Sequence, residues 1–196
     1  MATRLLLIMC EGKTEKEYFE ILRRAFRLPI YISSMIFGER GQHKPLIDKT
    51  VQKRSEIAEE LDLDESEIEA WAVCDDDRMT CSYQELLNYA EEWSVKLAFS
   101  KPQFEYFLLQ HFEPCKDSKR PEIFAKLGHH RGQHGEEPIY DNSAKAHLDW
   151  MQQAIEDKPI IVRTAITNSN LRSSPQEKTF LTVQRLAERF LELEVR

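Results

Sequence analysis

The stretch that decides the fold is Arg4-Leu-Leu-Leu-Ile-Met-Cys-Glu-Gly12, close to the start of the chain. Its apolar residues follow one another without polar alternation, which is typical of a strand covered on both faces in a parallel sheet. Glu11 and Gly12 end the apolar run. Thr14 and Glu17 then have the spacing of a capping box, so we predict that a helix begins there. The stretch therefore predicts a strand, a glycine-containing turn and a helix.

The same alternation continues over the first hundred residues. Further strands are predicted at 30–37, 69–74 and 95–100. Helices are predicted at 44–61, where we expect an exposed helix, and from a second capping box at Ser82 and Glu85 to Trp93. Alternating strands and helices favour a parallel α/β sheet with right-handed crossovers.

Beyond Pro102 the pattern becomes helical. Helices are predicted at 103–112, at 120–127, at 143–155 and from Ser174, where Pro175 and Glu177 complete the start signal. The stretch 129–141 is predicted to be a loop. We expect one compact domain, with an α/β core at 1–112 and a helical C-terminal extension at 113–196 packed on it.

Composition excludes several classes of protein. The chain has 196 residues, of which 41% are hydrophobic, too many for a disordered protein. No apolar run approaches the roughly 20 residues of a membrane span, and no secretion signal opens the chain, so we expect a cytoplasmic protein without a membrane partner. The formal net charge of −7 argues against a basic coat for nucleic acid.

Acidic side chains follow two of the predicted strands. Glu11 ends the first strand, and Asp75, Asp76 and Asp77 follow the third. Ligands of open parallel sheets bind beyond the carboxyl ends of the strands, and alternation along an extended backbone places Asp75 and Asp77 on one side. Three converging carboxylates repel one another unless a cation neutralises them. We therefore expect Glu11, Asp75 and Asp77 to bind Mg²⁺ or Mn²⁺, which prefer oxygen ligands.

Other interpretations of these patterns stay open. One alternative is that the aspartates form only a polar turn that ends the strand, with Glu11 as a solvated loop residue. A haloacid dehalogenase phosphatase has a D-x-D-x-T/V box, but Met79 stands where that box needs Thr or Val. No Walker A loop or dinucleotide fingerprint is present, so we predict no organic cofactor. A zinc site is a further alternative, although its four candidate ligands lack a second close pair: Cys115, His129, His130 and His134.

Three stretches resemble the RloB-like family, small Toprim-related proteins associated with restriction and phage-defence loci. They are Cys10-Glu-Gly-Lys-Thr-Glu-Lys-Glu-Tyr-Phe19, Trp71-Ala-Val-Cys-Asp-Asp-Asp-Arg78 and Phe99-Ser-Lys-Pro-Gln-Phe-Glu-Tyr-Phe-Leu-Leu-Gln-His-Phe112. The resemblance implies a Toprim-like, mostly parallel sheet in which Glu11, Asp75 and Asp77 coordinate the metal. Asp76 and Lys101 depart from the residues common in the family, a basic residue and Asn.

The helix predicted at 103–112 carries Glu105 among apolar residues. A buried carboxylate is costly unless it is paired or bound to a cation. Glu105 is therefore predicted either to support a second metal or act as a general base, or to form a structural ion pair with Lys101 or Arg120. His111 either orients a water or ligand at the site or is a structural residue.

Several cations are candidates for contact with phosphate. Lys13 and Arg78 closely follow the acidic elements, and the alternative for each is a solvated surface cation. Ser100, inside the third matching stretch, is a candidate supporting residue of the site. A candidate basic rim is formed by five cations: Lys116, Lys119, Arg120, Lys126 and Arg131.

Together these residues predict a Mg²⁺-dependent nuclease or related phosphodiesterase acting on DNA or RNA. Glu11, Asp75 and Asp77 would hold one or two ions that activate a water, with Glu105 as the fourth catalytic residue. The resemblance implies a role in phage defence. The alternative is a non-catalytic subunit that binds metal or nucleotide in a defence or restriction-associated complex, with a partner protein or a second copy.

Overall fold

A five-stranded sheet lies at the centre of the structure, a computed structural model in which residues 3–27, 33–38 and 41–194 are described. The strands are β1 (Leu5–Cys10), β2 (Ser33–Phe37), β3 (Ile68–Asp75), β4 (Lys96–Lys101) and β5 (Phe180–Leu181). Their order is β2-β1-β3-β4-β5, and only the last pair, β4 with β5, is antiparallel. The predicted class, a mostly parallel α/β sheet flanked by helices, is confirmed. Residues 30–32 of the predicted second strand lie outside the described residues.

The helices alternate with the first four strands and then follow one another towards the C-terminus. They are α1 (Lys13–Ala25), α2 (His43–Leu61), α3 (Tyr83–Glu92), α4 (Phe104–Leu109), α5 (Arg120–Gln133), α6 (Asp149–Asp157), α7 (Ile160–Asn170) and α8 (Gln184–Leu193). The helical character predicted for the C-terminal region is confirmed. In the described part of the chain, no helix combines the length and apolar composition needed to cross a bilayer.

Both faces of the sheet are buried, as the unbroken apolar run in β1 predicts. Even-numbered residues of β1 pack against α1 and the helices α4 to α8, and odd-numbered residues pack against α2 and α3. The helix α2 is therefore amphipathic, and the prediction that it is exposed is wrong. Its side chains Leu46, Ile47 and Ile57 are almost completely buried because they cover the second face of the sheet.

The strand order creates a crevice between β1 and β3. From β1 the chain first forms β2 on one side of β1, and it then returns past β1 to form β3 on the other side of β1. The crossover helices α1 and α2 consequently lie on opposite faces of the sheet. At such a switch point the loops beyond the carboxyl ends of the two strands diverge, which opens space for a ligand.

Capping boxes were predicted at Thr14, Ser82 and Ser174, and of these three the one at Ser82 is present. Ser82 and Glu85 form both halves of the box at the start of α3. The box predicted at Thr14 and Glu17 is wrong, because the cap of α1 is Gly12, two residues before Thr14, and it makes no side-chain cap hydrogen bond. Thr14 instead lies in the first turn, buried against the crevice.

The helix predicted from Ser174 is also wrong. The Glu177 N–H donates to the Ser174 carbonyl across 3.1 Å and closes a turn. The chain then pairs with the edge of β4: the Thr182 N–H donates to the Phe99 carbonyl across 2.8 Å, and the Phe99 N–H donates to the Thr182 hydroxyl across 2.9 Å. Because the free edge of β4 offers these groups, the segment becomes β5, and α8 begins only at Gln184.

Three further helix boundaries differ from the prediction. The helix predicted at 143–155 is a short 3₁₀ turn at Ala144–Ala146 followed by α6 from Asp149. The helix α5 continues to Gln133, so the first five residues of the loop predicted at 129–141 are helical instead. The helix α7 had no counterpart in the prediction. Tertiary packing explains the longer α5, because Gly128 and Gly132 in it lie against Pro138.

The contact of Gly128 predicts an unusual response to substitution. Replacing a helical Gly by Ala ordinarily stabilises by about 1 kcal/mol. A Cβ at Gly128 would lie 2.7 Å from the Pro138 carbonyl oxygen and 3.2 Å from the Tyr140 nitrogen, both of them backbone atoms. We expect Gly128→Ala to lower the free energy of unfolding by about 2 kcal/mol, measured by urea denaturation. Ala125→Gly, at an exposed position of the same helix, should cost about 1 kcal/mol. A stabilised Gly128→Ala variant would contradict the contact.

Candidate active site

Four carboxylates meet where β1 and β3 end. They line a cavity of about 290 Å³, which we call the acidic cavity. It contains the predicted residues Glu11, Asp75 and Asp77, and also Glu15. Two cations and an amide complete its charged and polar lining: Lys13, Lys145 and Asn142.

Glu11 is placed by continued sheet pairing. Its N–H donates to the Val73 carbonyl across 2.9 Å, so the register between β1 and β3 extends one residue beyond β1. The Gln42 side-chain amide donates to Glu11 Oε1 across 2.7 Å. The other oxygen, Oε2, is buried without a hydrogen-bond partner. That oxygen is available to a ligand within the cavity.

Asp75 and Asp77 point into the acidic cavity, whereas Asp76 is not among its lining residues. The backbone remains extended through Asp75, which pairs with Ser100, and the Asp76 N–H donates to the Ser100 carbonyl across 3.0 Å. The chain then turns, and the Asp77 N–H donates to Asp75 Oδ1 across 2.9 Å. The strand ends at Asp75, so the turn closed by this hydrogen bond, and not strand alternation, separates Asp75 and Asp77 from Asp76.

Glu15 is the carboxylate that sequence reasoning missed. It is only 6% exposed, in the first turn of α1. Gly12 makes room for it, because a Cβ at Gly12 would lie 2.7 Å from Glu15 Oε2. The signal was present in the sequence: Glu15 precedes Tyr18 by three residues and Leu22 by seven, so it continues the buried stripe of the helix.

Three carboxyl groups of the acidic cavity, those of Glu11, Glu15 and Asp75, resist ionisation. Burial raises the pKa of Glu11 to about 7, and the charge of Asp75 adds to the effect. Burial likewise raises the pKa of Glu15 to about 8 and that of Asp75 to about 6, with the charge of Glu105 contributing to both. The protein alone therefore does not neutralise this cluster, and a cation would.

Glu105 is 1% exposed and forms an ion pair with Lys145, whose Nζ lies 2.8 Å from Glu105 Oε1. The predicted partners, Lys101 and Arg120, are wrong. Lys145 comes from the 3₁₀ turn at Ala144–Ala146, beyond the reach of local sequence patterns. Glu105 Oε2 remains buried without a hydrogen-bond partner, as does the hydroxyl of Ser100 on β4.

His111 lies apart from the acidic cavity. Its Nε2 is 2.9 Å from the Tyr18 hydroxyl, and Nδ1 is 3.1 Å from the Leu108 carbonyl. Burial lowers the pKa of His111 to about 4, so its ring is neutral at physiological pH. These contacts support the interpretation of His111 as a structural residue and not as a group that orients a water or ligand at the site.

The remaining predicted cations divide into two groups. Lys13 lines the acidic cavity, whereas Arg78 lines a neighbouring one and is 83% exposed. Cations of the candidate basic rim are largely occupied by nearby carboxylates: Lys119 with Glu122, Lys126 with Glu113 and Asp117, and Arg131 with Glu136. These pairings leave little net positive charge to attract a phosphate backbone.

The acidic cavity fits a hard divalent cation by its chemistry. Its donors are carboxylate oxygens, one of which, Glu11 Oε2, is buried without a partner. Within the described residues, no three His, Cys, Asp or Glu side chains form a closed metal-binding group, the candidate zinc ligands included. Cation binding at the acidic cavity therefore requires its carboxylates to draw together.

The raised pKa of Glu15 predicts that this residue destabilises the fold increasingly as pH rises. Its ordinary value is 4.5 and the folded value about 8. Between these values the folded protein holds a proton that the unfolded chain has lost, so stability falls as pH rises. In EDTA, Glu15→Gln should raise the thermal midpoint by about 4 °C at pH 8, or about 1–2 kcal/mol, and by less at pH 5. Glu17→Gln, on the same helix, is the matched control. A shift that is the same at both pH values would count against this assignment.

Comparison with known families supports the resemblance noted from the sequence. The family model described as RloB-like protein matches residues 6–188. The match begins in β1 and ends in α8, so it includes all the residues that line the acidic cavity. No curated protein and no solved structure matches the chain significantly. With nearly its whole length matched, the chain belongs to the RloB-like protein family.

Proposed function

We propose that this protein is a nuclease, a phosphodiesterase that hydrolyses nucleic acid with Mg²⁺ or Mn²⁺. The observation that supports the proposal is the convergence of Glu11, Asp75 and Asp77 in one cavity at the switch point of a parallel sheet. The resemblance described above extends the proposal to a Toprim-type reaction in phage defence, in the cytoplasm.

Glu11, Asp75 and Asp77 are the proposed metal-binding residues, and Glu15 adds a fourth carboxylate to the same cavity. A bound divalent ion would generate a nucleophile from water and stabilise charge on the phosphate oxygens. Because the pKa values of Glu11 and Asp75 are raised, cation binding would displace protons that these groups hold near neutral pH.

The cations of the cavity are proposed to receive the substrate. Lys145 pairs with Glu105 and lies beside Asp75. Its positive charge partly offsets the burial that raises the pKa of Asp75. Together with Lys13 it offers positive charge to the scissile phosphate, which four carboxylates alone would repel. The unpartnered Oε2 of Glu105 is the atom through which Glu105 could accept a proton or support a second ion.

A non-catalytic metal-binding or nucleotide-binding subunit of a defence or restriction-associated complex is the second candidate function. The ion pair of Lys145 with Glu105 favours it, because that pair occupies one oxygen of the carboxylate proposed for catalysis. This candidate predicts metal binding without cleavage of single-stranded DNA, duplex DNA, RNA or cyclic nucleotides.

The aspartate triplet provides a test with an internal control. Asp77→Asn should lower cleavage of DNA or RNA at least about 100-fold in Mg²⁺, because it removes a proposed ligand of the catalytic ion. Glu11→Gln should do the same. Asp76→Asn, which alters a neighbour that does not line the acidic cavity, should retain most activity. Cleavage rates on labelled oligonucleotides measure the activity of all three variants. Cleavage that persists in EDTA, or in Asp77→Asn, would refute the proposed nuclease.

Metal binding itself should depend on pH. Glu11, Asp75 and Glu15, with pKa values of about 7, 6 and 8, must lose protons before they bind a cation. We expect the affinity for Mn²⁺ to be at least about tenfold tighter at pH 8 than at pH 6, with net proton release. Calorimetry in two buffers of different ionisation enthalpy measures both quantities. Affinity that does not vary with pH would show that the ion binds elsewhere.

A further inference from the structure

A larger cavity, of about 760 Å³, lies beside the acidic cavity. We call it the flanking groove. Its walls come from the loop that leads into α2 and from the loop that follows the aspartate triplet. The side chains that matter for its chemistry are Gln42, His43, Lys44, Arg78, Thr80 and Glu85.

Two hydrogen bonds join the flanking groove to the acidic cavity. Gln42, in the groove wall, donates to Glu11 Oε1 across 2.7 Å. His43, the next residue, donates from Nε2 to the Asp75 carbonyl across 3.0 Å. Residues that line the flanking groove are thus in direct contact with two residues that line the acidic cavity.

The groove presents two cations from opposite walls. Lys44 is exposed on α2, and Arg78 is 83% exposed, with Asp77 at 3.9 Å as an ion-pair partner. One carboxylate also lines the groove, but Glu85 Oε2 already accepts from the Ser82 N–H and hydroxyl across 2.8 and 2.7 Å. The balance of Lys44 and Arg78 against Glu85 is positive.

The backbone holds both cationic segments in an unusual conformation. Arg78 has a φ of 54° and His43 a φ of 51°, a region that residues other than Gly rarely adopt. Such strain costs about 1–3 kcal/mol at each residue and persists where the surroundings enforce it. Arg78 itself and Lys44, the residue after His43, are the cations that line the groove.

We infer that the flanking groove binds the phosphodiester backbone of the strand whose scissile phosphate occupies the acidic cavity. This inference rests on the proposed nuclease function. Cations and hydroxyl or amide groups recognise phosphate, and no Phe, Tyr or Trp is among the described residues that line the groove to stack on a base. Recognition through phosphate alone makes the groove indifferent to base sequence.

The positive charge of the flanking groove offsets electrostatic repulsion between the protein and a nucleic-acid strand. The protein carries a formal charge of −7, and four carboxylates line the acidic cavity, so a polyanion meets net repulsion there. A positive flank beside the reacting position offsets this repulsion where the strand must lie. The groove also extends binding beyond one phosphate, which favours a polymer over a mononucleotide.

Direct binding tests the inference separately from cleavage. In a Glu11→Gln background with Mg²⁺, fluorescence anisotropy reports the binding of labelled 20-nucleotide single-stranded DNA and RNA. The double variant Lys44→Gln with Arg78→Gln should bind about tenfold more weakly, and its dependence of log affinity on log salt should be shallower by about 1.4, about 0.7 per lost phosphate contact. The loss should be smaller on a dinucleotide.

A second double variant matches the change in charge. Arg23→Gln with Lys53→Gln removes two cations that line neither cavity, each paired with a carboxylate on its own helix. It should bind within about twofold of the background protein, because surface ion pairs contribute little. Circular dichroism confirms that both variants are folded.

Each outcome is decisive. A selective loss on DNA, on RNA or on both supports the groove and identifies the strand it accepts. Equal affinity and equal salt dependence of the Lys44/Arg78 variant and the background overturn it, as does an absence of binding to either strand. If binding depends on Lys44 and Arg78 but the unaltered protein cleaves nothing, the nuclease proposal fails and the groove stands.

Discussion

Parallel pairing of β1 with β3 is the constraint on which the rest of the structure depends. The register that places Cys10 beside Val73 also brings Glu11 and Asp75 to one edge of the sheet. Like charges would separate if the loops were free, but each is fixed by backbone hydrogen bonds of a sheet buried on both faces. Folding therefore holds like charges together at a buried place, and the pKa values of Glu11 and Asp75 are raised, chiefly by burial and further by neighbouring carboxylates. Raised pKa values of this kind are typical of functional sites.

The C-terminal part of the chain moderates the repulsion. Lys145 reaches the acidic cavity from the segment between α5 and α6 and pairs with Glu105 on α4. Asn142, from the same segment, also lines the cavity, and its side-chain oxygen accepts from Arg120 at the start of α5. The ends of β1 and β3 and the first turn of α1 thus supply the four acids and Lys13, and the C-terminal region supplies Lys145. Without that region the acidic cavity would lose one of the two lysines that line it.

The sequence predicted those features that depend on local patterns. Unbroken apolar runs identified β1 and β3, and the carboxylates at their ends identified three of the four acids in the cavity. Features that depend on distant partners were not predictable in the same way. Residues around Ser174 satisfy every local rule for a helix start, yet the open edge of β4 takes the segment that follows as a strand. The pairing of Glu105 with Lys145, forty residues apart, likewise leaves no periodic signal. Glu15 was predictable from the buried stripe of α1.

The hydrogen bonds between Thr182 and Phe99 affect which sequence changes members of this family can accept. Residues from the last fifth of the chain complete the edge of β4, and Lys145 contributes positive charge to the acidic cavity. The α/β core therefore depends on the C-terminal region for its sheet edge and for part of the charge of its cavity. Exchanging the C-terminal region between relatives would transplant an edge strand and a cation of the acidic cavity at once. Substitutions in the two regions should therefore be accepted in concert, and a chimaera that joins unmatched halves inherits an unprotected sheet edge.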